Sequence, residues 1–211
     1  MYVAPIDQTL LTGHLRKLAQ TAATFEAQAA KLSRWGNLLA RTLLGGGRLL
    51  VAGNGGSAAQ AQHLAAEFVG KLDGDRMPLS AIALTADSCG VTAIANDYGY
   101  PAVFARQVRA HGREGDVLLL ISTSGRSENL LSAADAARAT GLRVWGFTGD
   151  LPNPLAQRCT DVVAVPSRDT QIIQELQLAA GHVLCAYADA ALPRARGELR
   201  LLRVPEPQEV A

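Results

Sequence analysis

Cysteine is scarce and unpaired in this chain. Cys89, Cys159 and Cys185 are an odd number, widely spaced, with no CxxC among them. That excludes a disulfide framework and a thiolate zinc site. No apolar run approaches the ~20 residues that cross a bilayer, so no membrane partner is expected. The opening residues carry Asp7 and Glu26 and lack a basic start followed by an apolar stretch and a cleavage site. No signal peptide is expected, and the cytoplasm is the expected compartment. Charge of one sign is missing as well: 20 Lys plus Arg against 19 Asp plus Glu leave +1. Such a chain has no basic surplus with which to neutralise duplex phosphates, and nucleic acid is not an expected ligand. Neither GxGxxG nor GxxxxGK[ST] occurs, so a dinucleotide or nucleoside triphosphate is not indicated.

What is present is an apolar chain of 211 residues, 48% hydrophobic. A single domain of this size buries roughly 70% of the surface its unfolded form exposes, and needs no metal for stability. Any metal would therefore be functional. Residues 7–44 place Leu10, Leu11, Leu15, Leu18, Ala22, Phe25, Ala29, Leu32, Trp35, Leu38 and Leu39 at helical spacing. This predicts two helices, with Asp7 as the N-cap. Short apolar runs at 48–52, 80–84, 116–121, 142–148 and 161–165 then alternate with helical stretches at 57–69, 89–95, 102–110 and 127–139. The alternation predicts an α/β domain with a five-stranded parallel sheet covered on both faces. A long Ala- and Leu-rich helix is expected over 169–192, ended by Pro193. The resulting organisation is N-terminal helices over 1–45, a sheet domain over 46–193 and a surface-lying or frayed tail over 194–211. The outer helices are more apolar than a sheet cover requires, which favours packing against a second copy.

Two strand ends run straight into small polar turns, Gly53-Asn54-Gly55-Gly56-Ser57 and Ser122-Thr123-Ser124-Gly125-Arg126-Ser127. In open α/β sheets ligands bind beyond the carboxyl ends of the strands. Glycines let the backbone approach an anion, helix-start amides point at it, and hydroxyls add donors, a chemistry suited to a phosphate group. His63 and Glu67 stand four apart on the following helix, a spacing at which an imidazole and a carboxylate share a metal or form an ordinary surface pair. Gln174 and His182 lie on the last helix, eight apart, hence about 80° around it and ~12 Å along it. One ion between them needs long side chains, an irregular helix or a second chain.

The stretches Ala52-Gly53-Asn54-Gly55-Gly56-Ser57, Ala61-Gln62-His63-Leu64-Ala65-Ala66-Glu67, Ala95-Asn96-Asp97-Tyr98-Gly99, residues 115–125, and Ile173-Gln174-Glu175 with His182 together resemble the phosphoheptose isomerase family of the sugar isomerase (SIS) domain superfamily. The resemblance runs to about Leu192. It implies a single SIS-type domain with an N-terminal helical extension, assembled as a homotetramer with active sites between subunits. It also implies a zinc-assisted aldose–ketose isomerisation of sedoheptulose 7-phosphate to a D-glycero-heptose 7-phosphate, a step in heptose biosynthesis. The implied metal ligands, for one zinc per subunit, are His63, Glu67, Gln174 and His182. The implied substrate contacts are Asn54, Gly55, Gly56, Ser57, Glu67, Asn96, Asp97, Ser122, Thr123, Ser124, Ser127 and Gln174. Glu67 is the expected catalytic base and His182 its acid or base partner.

The chain departs from the family pattern at Arg126, where Asn is frequent, at Lys71, where Arg is frequent, across Gln171-Ile172-Ile173, and at Gln177, where His is common. Rival readings are an isomerase of another phosphosugar, a sugar-phosphate-sensing regulator, and a non-catalytic SIS protein of the kind that binds the replication initiator. Glu67 and His182 argue against the last, and the absence of an appended DNA-reading segment argues against the regulator.

Overall fold

The computed structural model describes residues 9–202, so the expected cap at Asp7 lies outside the described residues. Two helices open the chain, α1 (Thr9–Phe25) and α2 (Ala29–Leu44), joined by a single 3-10 turn. Strand β1 (Leu49–Gly53) and helix α3 (Gly56–Val69) follow, then β2 (Ala81–Ala83), α4 (Ser88–Tyr98) and α5 (Val103–His111). The second half runs β3 (Val117–Ser122), α6 (Glu128–Ala139), β4 (Arg143–Thr148), α7 (Pro154–Arg158), β5 (Asp161–Ala164) and α8 (Thr170–Leu202).

All strand pairs are parallel and the order is β2-β1-β3-β4-β5. In this order the chain winds one way from β1 and the other way from β3, so a crevice opens between the carboxyl ends of those two strands. The central strands are apolar on both sides, because each face is covered. Leu49, Val51, Leu119 and Phe147 meet α2, α3 and α8 on one face. Leu50, Leu118, Leu120 and Val144 meet α5 and α6 on the other.

An aromatic stack joins α2 to the sheet. Trp35 lies parallel to Trp145 of β4 with ring centroids 4.3 Å apart, and to Phe147 at 6.0 Å. Buried indole needs a partner for its N–H, and Trp35 Nε1 donates to Asp161 Oδ2 at 2.9 Å. Lys31 forms an ion pair with the same carboxylate at 3.2 Å and also donates to the Val162 carbonyl.

One expectation needs correction, and one short helix adds to the reading. The helix predicted to stop before Pro193 continues through it to Leu202. Proline in a helix interior costs about 3 kcal/mol. Ala188, Ala191, Leu192 and Ala195, all buried, carry one apolar face across the proline against the α2 side of the core. Their burial outweighs the lost backbone bond. The short α7 was not anticipated, being too short for a period to register, although its start signals are present. Asn153 accepts from Ala156 N at 2.9 Å and Pro154 occupies the first turn, the arrangement that a helix start favours.

Among the described residues no helix is long and apolar enough to cross a membrane. Leu10, Leu11 and Leu15 of α1 are exposed at 67%, 67% and 51%.

Asp161 makes the stability of this frame pH-dependent. Partial burial pushes its carboxyl up, but the hydrogen bonds from Trp35 and Lys31 and the charge of Lys31 outweigh that and hold it below its ordinary value. A depressed folded-state value stabilises the protein above the unfolded pKa of about 3.9, and that contribution is lost as pH falls through the folded value. Asp161→Asn should cost on the order of 1 kcal/mol at neutral pH. It should also flatten the loss of stability below about pH 4, as measured by urea unfolding across the acid range.

Candidate active site

The two polar turns foreseen from the sequence meet in the crevice between β1 and β3. Gly53 pairs with Ile121 across the two strands, so both turns leave the sheet at the same level. Gly55 precedes α3 with φ +55°, a left-handed conformation that glycine tolerates and that turns the α3 amides toward the crevice. Gly53 is excluded from bearing a side chain for a different reason: a Cβ there would stand 2.5 Å from the Ser57 carbonyl oxygen. Ser57 itself is buried and serves this tight entry to α3.

The turns are locked to each other by a reciprocal amide pair. Asn54 Nδ2 donates to Asn129 Oδ1 at 3.0 Å, and Asn129 Nδ2 donates back to Asn54 Oδ1 at 2.9 Å. Tyr100 Oη donates to the same Asn54 oxygen at 2.9 Å. Asn54 Oδ1 therefore has both lone pairs engaged, leaving the amide one N–H for a ligand. Asn129 and Tyr100 were missed in the sequence, where each reads as an ordinary residue near a helix end. The Ser-Glu-Asn opening of α6 was the available signal for Asn129.

In the second turn, Ser122 is buried and its Oγ accepts from Gly125 N at 3.0 Å. Ser124 Oγ accepts from Arg126 N at 3.3 Å and is exposed. Each hydroxyl still has its own proton to donate. Ser127 caps α6 without a side-chain cap bond. Thr123, Ser124 and Arg126 border an open depression together with Arg168 and Thr170. Asn96 and Asp97 sit exposed on the last turn of α4, with Asn96 Nδ2 donating to Asp97 Oδ1 at 2.8 Å.

On the other side of the crevice α3 packs against α8. His63 Nε2 lies 2.9 Å from His182 Nε2 and 3.4 Å from Glu67 Oε1. One ligand atom from each of the three falls within 4.8 Å of the others. Zinc–ligand bonds of about 2.0–2.1 Å arranged tetrahedrally separate neighbouring ligand atoms by about 3.3 Å, so the His63 and Glu67 separation fits an ion as it stands. The donor set, two imidazoles and a carboxylate, suits a divalent transition metal. Glu67 is 18% exposed and His63 46%.

Gln174 lies at the far end of this row. A Cβ on Gly56 would stand 2.7 Å from its Nε2, and its backbone oxygen accepts from Gln60 Nε2 at 2.7 Å. Its amide thus rests on the first turn. Gln177 is buried with neither amide atom bonded, and Gln60 Oε1 is likewise unpartnered. Both border a narrow cavity with His63 and His182. Buried amides are nearly always bonded, and this unmet capacity marks a place for a water or ligand atom. Two of the three thiols take no part: burial pushes Cys159 and Cys185 up to about 12, where neither is a nucleophile.

Comparison with known proteins agrees with this geometry. The SIS domain family matches residues 14–149. A phosphoheptose isomerase from Streptomyces coelicolor is 59% identical over 184 residues, 87% of this chain and 80% of the relative. Another, from Desulfovibrio desulfuricans, is 48% identical over 85% of this chain and 86% of its own. The solved structure of the phosphoheptose isomerase of Neisseria gonorrhoeae superposes with a TM-score of 0.81 at 38% identity, covering 87% of this chain and 98% of that one. On the matching family model, these identities and this superposition, the chain belongs to the phosphoheptose isomerases of the SIS-domain family, enzymes that interconvert aldose and ketose sugars.

Proposed function

We propose that this protein converts sedoheptulose 7-phosphate to a D-glycero-heptose 7-phosphate through an enediolate, with one zinc ion per subunit held by His63, Glu67, His182 and Gln174. The observation that carries the reading is the convergence of His63, Glu67 and His182 within 4.8 Å, beside two helix starts able to bind an anion.

Moving the carbonyl from C2 to C1 requires a proton to leave C1 and one to arrive at C2. The C1 proton is weakly acidic, so the reaction needs a positioned base and stabilisation of the negative charge that forms on oxygen. When bound, the ion supplies that stabilisation as a Lewis acid. Glu67 is the base: Oε1 faces His63 at 3.4 Å, leaving its second oxygen to take the C1 proton. His182, half-buried across from it on α8, delivers or accepts the partner proton. Gln174 and the Asn54 turn lie where they can hold sugar hydroxyls, with Asn96 and Asp97 at the rim. The phosphate falls to Thr123, Ser124 and Ser127 at the α6 amides, with Ser122 shaping the turn that presents them.

The exposed Leu10, Leu11 and Leu15 of α1 support assembly with further copies of the chain, in keeping with the homotetramer that the resemblance implies. NMR analysis of products formed from sedoheptulose 7-phosphate tests the reaction directly; an unchanged substrate would remove the assignment.

Glu67→Gln keeps the shape and removes the base, so turnover should fall roughly a hundred- to ten-thousandfold, the scale of losing general base catalysis, with the fold intact by circular dichroism. Near-parent turnover would take Glu67 out of the mechanism. Purified protein should contain zinc or bind it stoichiometrically by metal analysis, and His63→Ala and His182→Ala should each lose it. Because the C7 phosphate is remote from C1 and C2, its binding energy serves positioning. Ser124→Ala combined with Ser127→Ala, at about 1 kcal/mol per lost donor, should lower kcat/KM roughly 10- to 30-fold for the phosphorylated sugar. Unphosphorylated sedoheptulose, assayed in parallel, should be a poor substrate that the change barely affects.

A further inference from the structure

Arg76, in the loop between α3 and β2, is nearly buried: its side chain is 8% exposed. Its guanidinium donates to the Glu67 carbonyl at 2.7 Å, the Phe68 carbonyl at 2.9 Å, the Met77 carbonyl at 3.0 Å and the Gly70 carbonyl at 3.3 Å. Nε donates to Asp189 Oδ1 at 2.6 Å. The carbonyls of a helix's last turn have no partner within the helix. Here the Ala66 carbonyl is taken by Gly70 N, and those of Glu67 and Phe68 by Arg76, with Leu79 N also on Phe68. The cation also sits where the α3 dipole is negative.

Arg76 does more than cap a helix, because its remaining bond runs to another element. Asp189 stands seven residues after His182 on α8, two turns along the same face. One planar side chain therefore bonds the backbone of Glu67 and a carboxylate on the helix that carries His182. The two sides of the His63, Glu67 and His182 cluster are bridged through it.

We propose that Arg76, paired with Asp189, is a positioning residue that sets the register of α3 against α8 and so holds Glu67 and His63 in reach of His182. The proposal rests on the isomerase reading for its kinetic consequence only; the geometry it predicts holds with or without substrate. Lysine keeps the charge but concentrates it on one nitrogen, so it cannot span the set of acceptors that the three guanidinium nitrogens reach.

The test is Arg76→Lys, with Asp189→Asn as an independent break in the same bridge, and Leu142→Ala as a control that loosens the opposite face of the sheet. The chain has only four histidines, so long-range proton–nitrogen NMR of the imidazoles is readily assigned. In both bridge variants the His63 and His182 ring signals should move while those of His111 stay. For sedoheptulose 7-phosphate, kcat should fall at least tenfold with KM within threefold of the parent, and cobalt, titrated by its visible absorption, should bind at least tenfold more weakly. Leu142→Ala should lower the unfolding midpoint without these changes. If both folded bridge variants keep the parent's imidazole signals, Arg76 is a helix cap alone and the proposal is overturned. If instead the parent fails to isomerise the sugar while the bridge variants still move those signals, the isomerase reading falls and the positioning role stands.

Discussion

Helices α3 and α8 are far apart in the chain, yet side chains from both must meet within 4.8 Å for the candidate site to exist. Their close approach is tied by a shared cation. Leu64 of α3 lies beside Gly181 of α8, where a Cβ would make ordinary van der Waals contact at 3.6 Å, so the helices touch next to His182. Further along, Arg76 bonds the end of α3 and Asp189 of α8 together. The α2 helix closes against α8 from the other side: a Cβ on Gly36 would stand 2.8 Å from the Tyr187 backbone. α8 is thus gripped by α2 on one side and by the Arg76 bridge to α3 on the other.

The opposite wall of the crevice is organised by a different physical constraint. An anion site made from helix-start amides needs the two helix starts fixed relative to each other, since neither can move its amides alone. The Asn54 and Asn129 pair does this with two hydrogen bonds, and Tyr100 ties the α4 end to it with a third. Polar groups in the turns are thereby spent partly on shape. Ser122 and Ser124 each accept a backbone N–H within their own turn, so a ligand there would meet hydroxyl protons and amides already oriented. Preorganised donors of this kind gain more from a bound anion than donors that must reorient.

The division of labour across the sheet follows from its topology. The covering helices α2, α3 and α8 bury one face, and α3 and α8 also supply the ligand-type side chains. On the other face α6 presents its helix-start amides, with α4 and α5 beside it. Because the strand order reverses between β1 and β3, helices from the two faces start on either side of one crevice. Ligand-type side chains from one layer and helix-start amides from the other then meet without either layer leaving its packing.

Much of this was legible in the residue order. Apolar runs bounded by glycine-containing turns place the strands and the helices between them, since a strand buried on both faces must be apolar throughout. The four-residue spacing of His63 and Glu67 places them on one helical face by the helix period alone. Tertiary structure decided what periodicity cannot encode. It brought His182 to His63 across 119 residues, carried α8 through Pro193 because an apolar face continues beyond it, and set Gln174 against Gly56 of the first turn. It also gave Asn129, Tyr100 and Arg76 their partners. Local sequence specifies which face of an element a side chain occupies. Which other element that face meets is decided only when the whole core packs, because burial and hydrogen bonding are satisfied between segments that share no sequence neighbourhood.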